Sequence, residues 1–159
     1  MERRNHERIF LPLPIEAELY LFSVDGIEKS QKQQIPVTIE DFSILGMGLM
    51  GKLPITPEQD KQNFYRLTFK YNKNLYEVFG EIPWVDDKRK TPQHQPKFLY
   101  GFELTFLNQA QFTHYYGFYN QYCIQKRIRL LNTKIPNWNE YDSNRKYKAL
   151  SNPLMKDDL

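Results

Sequence analysis

From Ile15 to Leu107 apolar and polar residues alternate in six short runs, with turn signals between them and no stretch of helical period. Alternation of period two puts successive side chains on opposite faces of an extended strand. Ile15, Ala17, Leu19 and Leu21 thus oppose Glu16, Glu18, Tyr20 and Phe22, and Asp25-Gly26 ends that run with a hairpin-type turn. Further strands are expected over 35–41, 45–53, 65–71, 75–85 and 98–107, with Asn72-Lys73-Asn74 closing the hairpin between the fourth and the fifth. In the fifth, Tyr76, Val78, Ile82 and Trp84 are expected on one face, Gly80 at a bend and Pro83 at an edge or bulge. Short strands in succession without intervening helices mean an antiparallel sandwich or barrel.

Asn108, with Gln111 three residues on, reads as an N-cap and its reciprocal partner. The helix it opens is expected to run to about Leu131, ahead of Pro136, with Phe112, Tyr115, Tyr116, Tyr119, Tyr122 and Cys123 in one stripe. Such a helix is roughly 36 Å long at 1.5 Å per residue, more than a small barrel needs as a lid. Two outcomes are open: the stripe mediates a homodimer through the 108–131 helix, or it folds over the barrel mouth as additional core. Residues 136–159 are polar and aperiodic, a tail expected to be partly disordered once Trp138 has docked locally.

At 159 residues the chain suits one domain with an added element. Aromatic residues make up 15%, including eleven Tyr and eleven Phe, which favours β-structure over a plain helical bundle. A net charge of +3 does not by itself imply nucleic acid. The one cysteine, Cys123, excludes an internal disulfide and any Cys-x-x-Cys pair, which suits a reducing cytosol. The Ile9–Ile15 run is broken by prolines and followed by Glu16 and Glu18, so it is not a secretion signal. No apolar run approaches the ~20 residues of a membrane span, and a cytoplasmic location is expected.

The polar centre of the chain is Glu40-Asp41-Phe42-Ser43-Ile44-Leu45-Gly46. On extended backbone Asp41 and Ser43 share a face, and Gly46 lets the chain turn or a ligand approach closely. Either this is a recognition edge, or it is a hairpin corner whose side chains satisfy local backbone groups. The following Gly46-Met47-Gly48-Leu49-Met50-Gly51 has the spacing of a dinucleotide-binding loop, but Pro54 and Pro57 forbid the helix that motif requires. Upstream, Arg3, Arg4 and Arg8 crowd the terminus. They form either a solvated charge cluster or a clamp.

An Arg-x-x-x-Arg pair before the first strand, Asp-x-Ser-x-x-Gly after the second, then Gly80-Glu81-Ile82-Pro83-Trp84-Val85 and Tyr100-Gly101-Phe102-Glu103-Leu104-Thr105-Phe106 together resemble the PilZ family over roughly residues 3–107. The resemblance implies a mainly β fold, a six-stranded antiparallel barrel followed here by a long C-terminal helix. It divides the chain into a barrel with its arginine segment (1–107), an aromatic-rich helix (108–135) and a polar tail (136–159). It also implies a non-enzymatic receptor that binds the bacterial second messenger cyclic di-GMP, needs no cofactor, and signals to an unidentified downstream protein in motility, biofilm or polysaccharide control.

On this resemblance Arg4 and Arg8 pair with phosphate or guanine, since a planar guanidinium serves both, and Arg3 adds a further contact to a base or a phosphate. Asp41 accepts from guanine N1 and N2, Ser43 adds one hydrogen bond, and Gly46 leaves the backbone accessible. Trp84 either stacks on a base or belongs to the core. Leu45 stands where the family commonly has a first glycine, which narrows the turn.

Two other readings fit a small basic β-barrel. A PilZ-like module that acts only through protein contacts would not need the full set Arg4, Arg8, Asp41, Ser43 and Gly46. A single-stranded nucleic-acid binder would spread cations and aromatics over an open face, whereas these arginines bunch beside a carboxylate that repels a phosphate backbone. No enzyme is indicated, because His6, His94 and His114 are scattered.

Three neighbouring cations repel one another, and ordering a residue costs ~1 to 2 kcal/mol. Amide exchange of residues 3–10 is therefore expected to slow when cyclic di-GMP binds. Equal protection with and without bound ligand would show a preformed clamp.

Overall fold

The computed structural model describes residues 8–24, 27–28, 34–52, 63–87, 97–128 and 135–144. The alternating runs become β1 (Ile9–Val24), β2 (Ile27–Glu28), β3 (Gln34–Phe42), β4 (Gly46–Gly51), β5 (Asn63–Tyr71), β6 (Asn74–Asp87) and β7 (Phe98–Leu104), followed by α1 (Gln109–Gln125) and α2 (Trp138–Asn144). The strand order is β2-β1-β3-β4-β7-β6-β5, and β1 also pairs with β5. Six strands thus close an antiparallel barrel, with the two-residue β2 paired to the end of β1. Closure removes the free edges that an open sheet would expose.

Leu19, Ile39, Leu49, Leu67, Val78 and Tyr100 fill the interior. The expected hairpin between β5 and β6 turns on Asn72 and Lys73, both at positive φ (50° and 69°), which matches the right-handed twist of the flanking strands. β1 starts six residues before the expected Ile15, in spite of Pro12 and Pro14. The reason is a bulge: Phe10 faces Asp41 and Ile15 faces Ile39, so five steps along β1 oppose two along β3, and both prolines fall in that interruption.

Asn108 caps α1 as expected, its Oδ1 accepting the Gln111 N–H at 2.9 Å, while Gln111 Oε1 accepts from the N–H of Leu107, one residue before the cap. α1 stops at Gln125, short of Leu131. Arg127 takes a left-handed φ of 54°, and the Ile128 N–H returns to the Cys123 carbonyl at 2.9 Å, closing the helix without a glycine.

The aromatic stripe lies inside the molecule. Phe112, Tyr115, Tyr116, Phe118, Tyr119 and Tyr122 are all buried, and Phe118, missing from the expected stripe, has its ring 5.1 Å from Phe42 and 5.0 Å from Phe69. Of the two outcomes left open for α1, additional core is the one the structure has. Cys123 is only half-buried.

Within the expected tail, 138–144 forms a short helix. Asn137 Oδ1 accepts the Glu140 N–H at 2.8 Å, the Trp138 ring lies 5.5 Å from Phe112, and the Tyr141 hydroxyl accepts the Phe106 N–H at 2.7 Å. Two aromatics three residues apart are enough to dock one helical turn without longer periodicity.

Because Phe118 joins the helix to both sides of the barrel, Phe118→Ala should destabilise the protein by about 3 to 5 kcal/mol, read from the chemical denaturation midpoint. A loss below about 1 kcal/mol would show that α1 is not part of the cooperative core.

Candidate functional site: a polar row across the outer barrel face

Val37, Ile39 and Asp41 are two apart, so strict alternation would carry the Asp41 carboxylate into the barrel with Val37 and Ile39. A second bulge prevents this. Ile39 faces Leu49 and Asp41 faces Gly48, two steps along β3 against one along β4, and Glu40 is the extra residue. Asp41 therefore points outward while Phe42 returns inward, fully buried.

A third bulge lies on β6, where Glu81 faces Glu103 and Trp84 faces Gly101, three steps against two. Pro83 falls inside it, as its missing N–H predicts. The bulge corrects one expectation, because Trp84 leaves the face of Val78 and shares the outer face with Gly101.

The ladders align five residues in one row across the outer surface: Phe10, Asp41, Gly48, Gly101 and Trp84. Gly48 and Gly101 carry no side chain, and the side chains of Asp41 and Trp84 lie over them. A Cβ on Gly48 would meet Asp41 Oδ2 at 2.5 Å, and one on Gly101 would meet Trp84 Cε2 at 2.2 Å. Phe10, beyond Asp41, is 70% exposed.

Arg8 precedes β1 and forms an ion pair from Nη2 to Asp41 Oδ1. The pair covers the carboxylate, so Asp41 is only 7% exposed although it is on the outer face. At Gly46 a Cβ would crowd the Phe102 carbonyl at 3.2 Å and would meet Arg8 Nη1 in ordinary contact at 3.5 Å, so the β7 backbone rather than the guanidinium favours a glycine there.

Ser43 departs from expectation. β3 ends at Phe42, so Ser43 shares no strand face with Asp41 but sits in the turn to β4. Its N–H donates to the Gly46 carbonyl at 2.8 Å, and its hydroxyl accepts from the Leu45 N–H at 3.4 Å. The local role that was one reading of this corner applies to Ser43, whereas Asp41 reaches Arg8 across 33 residues of sequence.

Beneath the turn, the hydroxyls of Tyr115 and Tyr116 donate to the carbonyls of Ser43 and Ile44, each at 2.5 Å. Burial pushes both phenols well above their ordinary range, with Arg8 pulling Tyr115 the other way. A phenol is protonated at neutral pH even without that shift, so both hydroxyls are available as donors.

The structure thus brings Arg8, Asp41, Ser43 and Gly46 to one corner and puts Trp84 at the far end of the same row. Arg3 and Arg4 lie outside the described residues. Phe10, Gly48 and Gly101 were not read from the sequence as site residues. Gly48 stood in the rejected glycine pattern, and its outward placement needs the β4 partners. Chemically, the row offers a cation, a carboxylate and two aromatic rings, with the carboxylate and the indole lying over the glycines, a set complementary to a planar heterocycle bearing N–H donors and an anionic group. Among the described residues no group of three His, Cys, Asp or Glu side chains could hold a metal ion.

A closed six-stranded antiparallel barrel of this order, with a C-terminal helix, is a PilZ-like fold. The PilZ domain with c-di-GMP of YcgR from Escherichia coli superposes with a TM-score of 0.52 at 10% identity, covering 79% of this chain and 98% of that one. The crystal structure of YcgR in complex with c-di-GMP from Escherichia coli gives 0.50 at 11% identity, covering 79% of this chain and 49% of that one. At such identities the likeness is one of fold. No protein-family model and no curated protein sequence matches the chain.

The seat of Trp84 on Gly101 is open to test. In a Trp138→Phe background, which leaves Trp84 as the sole tryptophan, Gly101→Ala should displace the indole and move its emission to longer wavelength with the barrel intact. Unchanged emission would show that the ring does not rest on Gly101.

Proposed function

We propose that this chain is a receptor for cyclic di-GMP. The observation that carries the reading is the Arg8–Asp41 pair held over Gly46, because it brings the last arginine of one motif onto the carboxylate and glycine of the other. The likeness in fold to YcgR, whose PilZ domain is described with c-di-GMP, supports it.

In this reading Asp41 accepts from guanine N1 and N2, and Arg8, anchored through Nη2, turns its remaining donors to a phosphate or to guanine O6 and N7. Gly46 leaves backbone within reach, and Ser43 holds the turn that presents it while offering one hydroxyl contact. Arg3 and Arg4 close from the terminus onto the phosphates, and the Trp84 indole offers a face for a base. For residues 8–10 the expectation of a segment ordered only by ligand is corrected: Arg8 is already paired with Asp41, and Ile9 and Phe10 already lie in the β1–β3 ladder, which lowers the entropy cost of binding.

The protein acts without catalysis and without a cofactor, and passes the signal to a downstream protein in motility, biofilm or polysaccharide control. Among the described residues no helix is long and apolar enough to cross a membrane. The proposed setting is the bacterial cytoplasm, where the messenger is made.

Calorimetric titration tests this, with GTP and the linear dinucleotide as controls. Wild-type protein should bind cyclic di-GMP at micromolar concentration or tighter, and Arg8→Ala or Asp41→Ala should each cost on the order of 2 to 4 kcal/mol of binding while the barrel stays folded. Absence of heat with the wild type would favour the module that acts through protein contacts alone.

A further inference from the structure

The turn from Ser43 to Gly46 must place its carbonyls somewhere, and burial leaves few options. Ser43 and Ile44 are 4% and 3% exposed, and a buried carbonyl without a donor costs about 1 to 3 kcal/mol. Gly46 receives the Ser43 N–H, and Leu45 receives the Leu104 N–H of β7 at 3.0 Å. The carbonyls of Ser43 and Ile44 receive donors from outside the sheet, the hydroxyls of Tyr115 and Tyr116.

These two tyrosines are adjacent on α1, as the two carbonyls are adjacent in the turn. Both phenols are buried, at 1% and 4% exposure, so water does not compete for the bonds. Tyr115 also packs edge-on against Tyr116, at 5.3 Å between centroids, and Phe106 supports both rings at 5.6 and 5.7 Å. A side chain that must stay protonated, is held by its neighbours and meets a backbone oxygen at 2.5 Å fixes the position of that oxygen. Three residues after Ser43 stands Gly46, over which the Arg8 guanidinium lies.

We propose that Tyr115 and Tyr116 are positioning residues of the ligand corner, so that α1 belongs to the receptor site and sets its affinity from beneath. This rests on the cyclic di-GMP reading. The hydroxyls touch no ligand. They hold the 43–46 turn in the shape that puts Gly46 under Arg8 and keeps Asp41 within reach of it. Linkage makes the coupling reciprocal: a partner that shifts α1 changes affinity at the corner, and ligand at the corner changes the strain on α1.

The test uses full-length Tyr115→Phe, Tyr116→Phe and the double variant, with Tyr76→Phe as control. That control removes a hydroxyl that donates to Gln121 on the same helix at 3.3 Å, away from the corner. Cyclic di-GMP affinity by calorimetry, thermal midpoint, and amide exchange at Ser43, Leu45 and Gly46 without ligand are measured on each. Each single variant should weaken binding by up to about tenfold, and the double by more, with faster exchange at the turn and unchanged exchange in β5. Tyr76→Phe should lower the thermal midpoint at most and leave affinity unchanged.

Unchanged affinity and exchange in a folded double variant would overturn the proposal, as would an equal loss of affinity in the control. If the double variant does not fold, the single variants carry the same comparison. Wild-type protein that takes up no cyclic di-GMP overturns the receptor reading and the effect on affinity with it. The exchange measurement needs no ligand and still decides whether the two tyrosines hold the turn.

Discussion

The ladder between β1 and β5 is the constraint on which the other features rest. Ala17 through Val24 pair with Phe69 through Asn63, and this joins the first long strand to the strand furthest from it in sheet order. Once the sheet is closed, inward and outward faces are defined for every strand, and polar residues on the outer face keep fixed neighbours. Closure also leaves an end of the barrel to be covered, and the aromatic face of α1 covers it.

The stopper uses rings for a physical reason. A curved sheet end presents gaps of irregular shape, and aromatic pairs fill them in tilted and edge-to-face arrangements that add directional preference to burial. Phe42 shows how far this binds the molecule together. It meets Phe118, Tyr119 and Tyr122 at 5.1, 5.7 and 5.3 Å, and it stands between Asp41 and Ser43. The residue that anchors the helix is therefore flanked by the two polar residues of the corner. Core and site share one piece of backbone, which is why the geometry of one depends on the other.

The outer row is made by irregularities in otherwise regular ladders. Each bulge adds residues to one strand and so exchanges the faces beyond it. On β3 this brings Asp41 out of the barrel, and on β6 it does the same for Trp84. The glycines between them provide the space into which both side chains lean. A carboxylate on the barrel surface is then shielded by an arginine, so the pair meets water on few sides and is screened less than an ordinary surface pair.

Much of this was legible in the chain itself wherever the governing interaction is local. The resemblance to a known family, not local preference, pointed to Arg8, Asp41, Ser43 and Gly46, whereas alternation marked the six long strands, Asn72-Lys73-Asn74 marked a hairpin turn, and Asn108 and Gln111 marked the start of α1. These follow from steric and hydrogen-bonding preferences within a few residues. What only the tertiary structure decided depends on a partner strand or helix. Strand periodicity placed Trp84 with Ile82, and only the register against β7 moved it to the outer face. The same kind of slip against β4 turned Asp41 outward. The stripe on α1 was visible as apolar surface, but whether a second chain or the barrel would bury it depended on the size and shape of the barrel end. A bulge costs little locally and is selected by the pairing of residues far apart in sequence, so no window of a few residues contains the information that sets it.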